Sequence, residues 1–202
     1  MAYTIGITGG IGSGKSVVSR VLRCNGFKVY DCDCEAKHLM VRSEKVRSAL
    51  EKEVGNNVYF PDGNLNRAAL ASIIFNVPKA RKRVNQIVHT AVREDIKIRQ
   101  DRTKGKFFIE SAILASGGIA GMCNEIWIVD AAEEIRKHRV SKRDNLTEAE
   151  IEKRIATQRQ ETDLLTHSHC VLLDNGGRNP LLKEILKLTD KFQLQQTYLI
   201  SC

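Results

Sequence analysis

Aromatic residues are scarce in this chain, 5% of 202 residues, and no basic stretch is interleaved with them. A stacking platform for single-stranded nucleic acid is therefore missing, even though Lys and Arg outnumber Asp and Glu by 32 to 24. No apolar run approaches the roughly 20 residues that a membrane-spanning helix needs. Nothing at the amino terminus resembles a signal peptide. The six cysteines, Cys24, Cys32, Cys34, Cys123, Cys170 and Cys202, lack the close, regular spacing of a disulfide framework. Cys32 and Cys34 form a C-x-C pair, with His167 and His169 far along the chain, but structural zinc usually shows two spaced ligand pairs. These absences lead us to expect a reducing, cytoplasmic setting without nucleic-acid or membrane partners, and they carry no signal for oligomeric state. The hydrophobic content of 42% is ordinary for one globular domain with a real core. A net charge of +8 favours polyanionic small molecules such as nucleotides and phosphorylated cofactors.

Short apolar runs alternate with helical patterns. Tyr3–Thr8 reads as a strand ending in a glycine-rich turn, and Lys15–Cys24 carries apolar residues at helical spacing. Gly26 punctuates, Phe27–Tyr30 reads as a second strand, and Asp31-Cys32-Asp33 follows it directly. Residues 43–104 are charged and helical in pattern, broken by Pro61-Asp62-Gly63-Asn64 and by Pro78, which suits the first turn of a long helix. Lys106–Glu110, Glu125–Asp130 and Val171–Leu173 are further strands. Thr147 and Glu150 form a capping box that starts a helix ending near Gln160. The pattern predicts an α/β fold: a five-stranded parallel sheet flanked by helices. We expect a core at about 1–42, 105–135 and 170–195, a helical insertion at about 43–104 and a lid at about 136–165. The tail after Lys191 carries no signal.

Gly9-Gly10-Ile11-Gly12-Ser13-Gly14-Lys15-Ser16 fits G-x-x-x-x-G-K-[ST] completely, between a strand and a helix as its mechanism demands. Backbone N–H groups of such a loop face inward, and the following helix adds its positive end, which together make a phosphate cradle. Gly10, Ile11, Gly12, Ser13, Gly14, Lys15, Ser16 and Val17 are therefore the expected nucleotide contacts, with Lys15 on the β- and γ-phosphates and Ser16 on Mg²⁺. The acceptor is a separate question. Asp31 and Asp33 stand at the carboxyl end of the second strand, where one carboxylate can take a proton from an acceptor hydroxyl and another can bind Mg²⁺ through water; capping of the next helix is the competing role. Asp130, ending an apolar strand, suits a Walker-B carboxylate in an ATPase or GTPase, although no N-K-x-D guanine motif is present. Arg136, Lys137, His138, Arg139, Lys142 and Arg143, continued by Arg154 and Arg159, suit a closing lid or a solvated helix face.

Thr8–Ser16, Asp31-Cys32-Asp33, Arg143-Asp144-Asn145-Leu146-Thr147 and Asp174-Asn175-Gly176-Gly177 together resemble the dephospho-CoA kinase family, from about Tyr3 to Leu188. The resemblance implies a P-loop fold and ATP- and Mg²⁺-dependent phosphorylation of the ribose 3′-hydroxyl of dephospho-CoA, both substrates being small molecules. It implies Asp33 as general base, Asp31 supporting the metal, Arg139 and Arg143 as lid cations near the phosphates, and Asn175 in an adenine-contacting loop. Arg67–Phe75 and Asn85–His89 are similar to the acceptor-side helices. Two stretches depart from the family's pattern. Ala112-Ile113-Leu114-Ala115-Ser116 replaces a Pro-Leu-Leu-Phe-Glu-like stretch, and the His-Pro pair reads His89-Thr90.

Overall fold

The computed structural model describes residues 2–144, 146–163, 170–176 and 181–189. Its elements, in chain order, are β1 (Tyr3–Thr8), α1 (Lys15–Cys24), β2 (Val29–Asp31), α2 (Cys32–Arg42), α3 (Glu44–Val54), α4 (Arg67–Asn76), α5 (Pro78–Arg102), β3 (Lys106–Glu110), β4 (Glu125–Asp130), α6 (Glu133–Asp144), α7 (Glu148–Asp163) and β5 (Cys170–Asp174). A further helix covers 181–189. The chain divides into two compact units, one of Ala2–Val29 with Lys104 onward, the other of Tyr30–Thr103.

The strands order as β2-β3-β1-β4-β5, and all but Tyr30 and Asp31 of β2 belong to the first unit. Its pairs β1–β3, β1–β4 and β4–β5 are all parallel. Parallel strands are covered on both faces, so they read as unbroken apolar runs rather than as alternation. Five consecutive residues of β1, Thr4–Thr8, are buried. Ile5, Ile7, Val18, Leu22, Phe108, Trp127, Val129, Leu173, Leu181 and Ile185 form the core. Trp127 is its largest member, fully buried and edge-on to Phe108 at 5.5 Å. Its indole N–H donates to Glu125 Oε1 at 2.6 Å, so burial leaves no donor stranded.

The expected second strand begins two residues later than its apolar run does. Gly26, at φ 81°, closes α1: its N–H donates to Arg23 O at 3.0 Å, and Phe27 N–H donates to Leu22 O at 3.0 Å. That pair of bonds is a Schellman motif. It uses the Phe27 N–H that a strand ladder would need, and the Phe27 ring packs edge-on against Phe108 instead. β5 extends one residue beyond the expected run at each end, and α7 continues to Asp163. The Thr147–Glu150 capping box is formed, with Glu150 Oε2 accepting from Thr147 N–H at 2.9 Å.

The second unit packs α3, α4 and α5 around Val46, Leu50, Val58, Tyr59, Leu70 and Val84. Pro78 takes the first turn of α5, where its missing N–H costs nothing. The link from α3 to α4 is not purely helical: it carries a 3₁₀ turn at Asn56–Val58 and an antiparallel bridge from Tyr59 to Leu65 around the Pro61–Asn64 turn. This unit begins at Tyr30, so α2 belongs to it rather than to the sheet core in which the sequence reading placed residues up to 42. The reason is packing, because α2 lies against α3 and α5. α5 also runs without a break through Thr90, where a proline would have removed a backbone hydrogen bond.

Candidate active site

In the sheet unit, the loop from Gly9 to Gly14 connects the end of β1 to the start of α1. The first turn of α1 has no side-chain cap, and Gly14 precedes it at φ 104°. Its leading N–H groups therefore form an electropositive end suited to an anion. A Cβ on Gly14 would lie 2.0 Å from Asn175 Nδ2, so sterics as well as φ demand glycine there. Ser13 Oγ is buried and has no hydrogen-bond partner among the described residues. Ser16 and Val17, in the first turn of α1, are exposed. An uncapped helix end, a lysine and an orphaned hydroxyl are the donor set that a polyphosphate requires.

The loop's carbonyls are held by cations and an amide. Lys15 Nζ donates to Gly9 O at 2.7 Å and Gly10 O at 3.1 Å. Arg136 Nε donates to Ile11 O at 3.1 Å, and Arg139 Nη1 donates to Gly12 O at 3.3 Å. Asn175 Nδ2 donates to Ser13 O at 2.7 Å, while its own carbonyl accepts from Arg139 Nη2 at 2.9 Å. Ile11 N–H donates to Gln158 Oε1. The Ile11 side chain packs against Val140, Ile151 and Ile155 of α6 and α7, which explains an apolar residue amid the glycines. The α6–α7 pair, the loop and the β5 edge thus form one assembly, to which Lys15, Arg136 and Arg139 bring positive charge.

Asp130 stands half-exposed at the end of β4, its carboxylate 3.4 Å from Arg136 Nη1. Arg143 is 62% exposed and held in a two-pronged pair by Asp144, at 2.6 and 2.8 Å. That pair raises the Arg143 pKa and holds the Asp144 carboxyl below its usual range. The hydrogen bonds from Thr147 likewise hold Glu150 low. In the replaced stretch after β3, Leu114 is buried beneath Gly6, and Ser116 N–H donates to Glu161 Oε2 at 3.1 Å. Burial pushes the nearby Cys123 thiol up to about 12, so it is inert.

In the helical unit, Asp31 ends β2 and caps α2, its Oδ1 accepting from Cys34 N–H at 2.9 Å. The capping role foreseen as an alternative is therefore real for Asp31, which keeps its second oxygen. Asp33 is exposed in the first turn. Behind it, Arg99 Nη2 donates to Glu35 Oε2 at 2.9 Å, Arg99 Nε donates to Asp95 Oδ2 at 3.0 Å, and Tyr30 Oη donates to Asp95 Oδ2 at 2.9 Å. Burial, reinforced by Asp95, raises the Tyr30 pKa and keeps the phenol a donor. Thr90 Oγ1 accepts from Arg93 Nη2 at 3.1 Å. His167 and His169, like Asn145, Gly177 and Cys202, lie outside the described residues.

Sequence reasoning missed two loop contacts. Arg136 was visible as part of a basic run, but nothing singled it out from its neighbours. Gln158 gave no signal, because only the fold of α7 brings it to Ile11.

A family model described as dephospho-CoA kinase matches residues 3–179. A dephospho-CoA kinase of Porphyromonas gingivalis is 43% identical over 190 residues, which is 93% of each chain. One of Bacteroides fragilis is 37% identical, over 93% of this chain and 92% of that one. Among solved structures, a Thermus thermophilus protein superposes with a TM-score of 0.75 at 31% identity, covering 93% of this chain and 96% of its own. Two others share the fold at lower identity: a dephospho-CoA kinase from Campylobacter jejuni, with a TM-score of 0.69, 19% identity and coverage of 95% and 97%, and a shikimate kinase from Acinetobacter baumannii, with 0.51, 14% and coverage of 97% and 95%.

Proposed function

The chain belongs to the dephospho-CoA kinase family, and from that premise we propose that it transfers the γ-phosphoryl group of ATP to the ribose 3′-hydroxyl of dephospho-CoA, yielding coenzyme A and ADP. The observation that carries the donor half is the uncapped amino end of α1 behind a loop whose carbonyls from Gly9 to Ser13 are each held by a cation or an amide. Such a loop presents N–H groups to phosphate oxygens without first having to reorganise. The acceptor half rests on family membership.

Lys15 moves from Gly9 O and Gly10 O to the β- and γ-phosphates once a nucleotide offers stronger, charged acceptors. Arg139 and Arg143 neutralise charge that develops on the transferred group, and Arg136 joins them from its place over Ile11. Asn175 fixes Ser13 and borders the adenine. Asp33 accepts the proton of the 3′-hydroxyl as the oxygen attacks in line with the leaving ADP. Ser16 in its unit, and the second oxygen of Asp31 in the other, are each hard oxygen donors of the kind Mg²⁺ prefers; when bound, the metal would offset the negative charge of the phosphates. We place the reaction in the cytoplasm. Among the described residues, no helix is long and apolar enough to cross a membrane. Hydrolysis through Asp130 has no supporting observation, because that carboxylate is already paired with Arg136.

The test is ADP release by purified protein with ATP and Mg²⁺, with and without dephospho-CoA, followed by mass spectrometry of the product. Acceptor-dependent release with coenzyme A as product supports the reading. Equal release without acceptor would show a hydrolase.

A further inference from the structure

We propose that Arg99 is a positioning residue for the reaction: it fixes the rotation of α2 about its axis and so sets where Asp33 presents its carboxylate. The inference rests on Asp33 being the base. Glu35 and Asp33 are two residues apart, about 200° around a helix of 3.6 residues per turn. Whatever pins Glu35 to α5 therefore turns Asp33 to the opposite side, where it is exposed. The pin is Arg99. Its fork spans two carboxylates, Glu35 at 2.9 Å and Asp95 at 3.0 Å. Its guanidinium carbon lies 5.0 Å from the centroid of the Tyr30 ring, which it covers. Tyr30 in turn donates to Asp95 at 2.9 Å. The network thereby ties the last residues of β2 and the first turn of α2 to one site on α5. The cap from Asp31 to Cys34 N–H supplies the remaining restraint, holding the turn that carries Asp33 in helical form.

Arginine is needed here rather than lysine, because one planar group must serve two acceptors and a ring at once. Stability alone does not explain the arrangement. The Arg99 side chain is 45% exposed against 21% for Glu35 and Asp95, and ion pairs open to solvent on one side add only modestly to folding free energy. The same helix provides a control, the Lys97–Asp101 pair at 3.0 Å, whose cation is comparably exposed, whose carboxylate is more exposed than Glu35 or Asp95, and which is i to i+4 within α5.

The experiment compares Arg99→Ala, Arg99→Lys, Glu35→Gln, the Arg99→Ala/Glu35→Gln double variant, Asp33→Asn and the control Lys97→Met. Steady-state kcat, KM for ATP, KM for dephospho-CoA and melting temperature are read for each. Misplacing a reacting group lowers kcat, so Arg99→Ala should lose about 10- to 100-fold, with both KM values nearly unchanged and a melting temperature like that of Lys97→Met. Glu35→Gln should fall in the same direction, the double variant no further than the worse single one, and Arg99→Lys should recover only part. A kcat unchanged in Arg99→Ala while Asp33→Asn is inactive overturns the positioning role and leaves the base standing. A raised KM for dephospho-CoA at unchanged kcat overturns it too, making Arg99 an acceptor contact. Full activity in Asp33→Asn removes the base itself and the inference with it. If Arg99→Ala does not fold, Glu35→Gln decides by the same readings.

Discussion

The phosphate loop and the acidic turn are held in opposite ways. The loop is fixed through its backbone, with carbonyls of Gly9 to Ser13 receiving side chains from α1, α6 and the end of β5. The turn bearing Asp33 is fixed through side chains, by Glu35, Asp95, Arg99 and the buried Tyr30. Backbone anchoring tolerates almost no substitution inside the loop. Side-chain anchoring leaves the turn's own backbone ordinary and places the specificity tens of residues away. A single loop substitution should thus abolish nucleotide binding, whereas changes around the turn should leave binding intact and slow transfer.

Gly14→Ala is the sharpest way to break the loop side, because a methyl group 2.0 Å from Asn175 Nδ2 must displace the strap that holds Ser13 O. ATP affinity, measured by calorimetry, should fall at least about 100-fold, the loss expected when a pre-formed donor set is disordered. Trp127→Ala probes the sheet core that also buries Ile5 and Ile7 of β1 and Val18 and Leu22 of α1. A truncation of this size in a close-packed core costs about 3–5 kcal/mol, read from urea unfolding. Asn175→Ala frees Ser13 O from a 2.7 Å bond and should cost about 1 kcal/mol, together with weaker ATP binding. Thr147→Ala opens the capping box of α7 and should cost a similar ~1 kcal/mol, with no effect on Asp33 chemistry.

The smallest effect is on pH dependence. Burial pushes Cys123 up to about 12 from an ordinary value of 9.0, so the folded state binds a proton that the unfolded chain has lost. The stability this contributes is complete below pH 9 and falls as pH rises towards 12. Lys106 has the opposite sign: burial lowers it to about 8, so its charge opposes folding at neutral pH and is relieved between pH 8 and 10.5. Urea midpoints from pH 8 to 11 should accordingly rise more steeply in Cys123→Ala than in the wild type, while Lys106→Met should lose the rise.

Most of the sheet was legible because parallel strands are short apolar runs bounded by glycine or Asp: Tyr3–Thr8, Lys106–Glu110 and Glu125–Asp130 have the ends their sequence implies. The loop was legible because glycine, lysine and serine at fixed spacing answer to one geometry. The start of β2 was not, since the Schellman bond from Phe27 looks like strand sequence until α1 is seen to end there. Arg99 and Tyr30 were not legible either. They are 69 residues apart in number, and no local pattern links a tyrosine ending a strand to an arginine late in a long charged helix. Gln158 on Ile11 escaped for the same reason.

The most direct test of this division of labour measures ATP affinity and phosphoryl transfer on one preparation of Asp33→Asn. The account predicts ATP binding within about threefold of the wild type and transfer to dephospho-CoA lower by about 10²- to 10⁴-fold, the range for loss of a general base. Undiminished transfer, or loss of ATP binding in step with transfer, would contradict it.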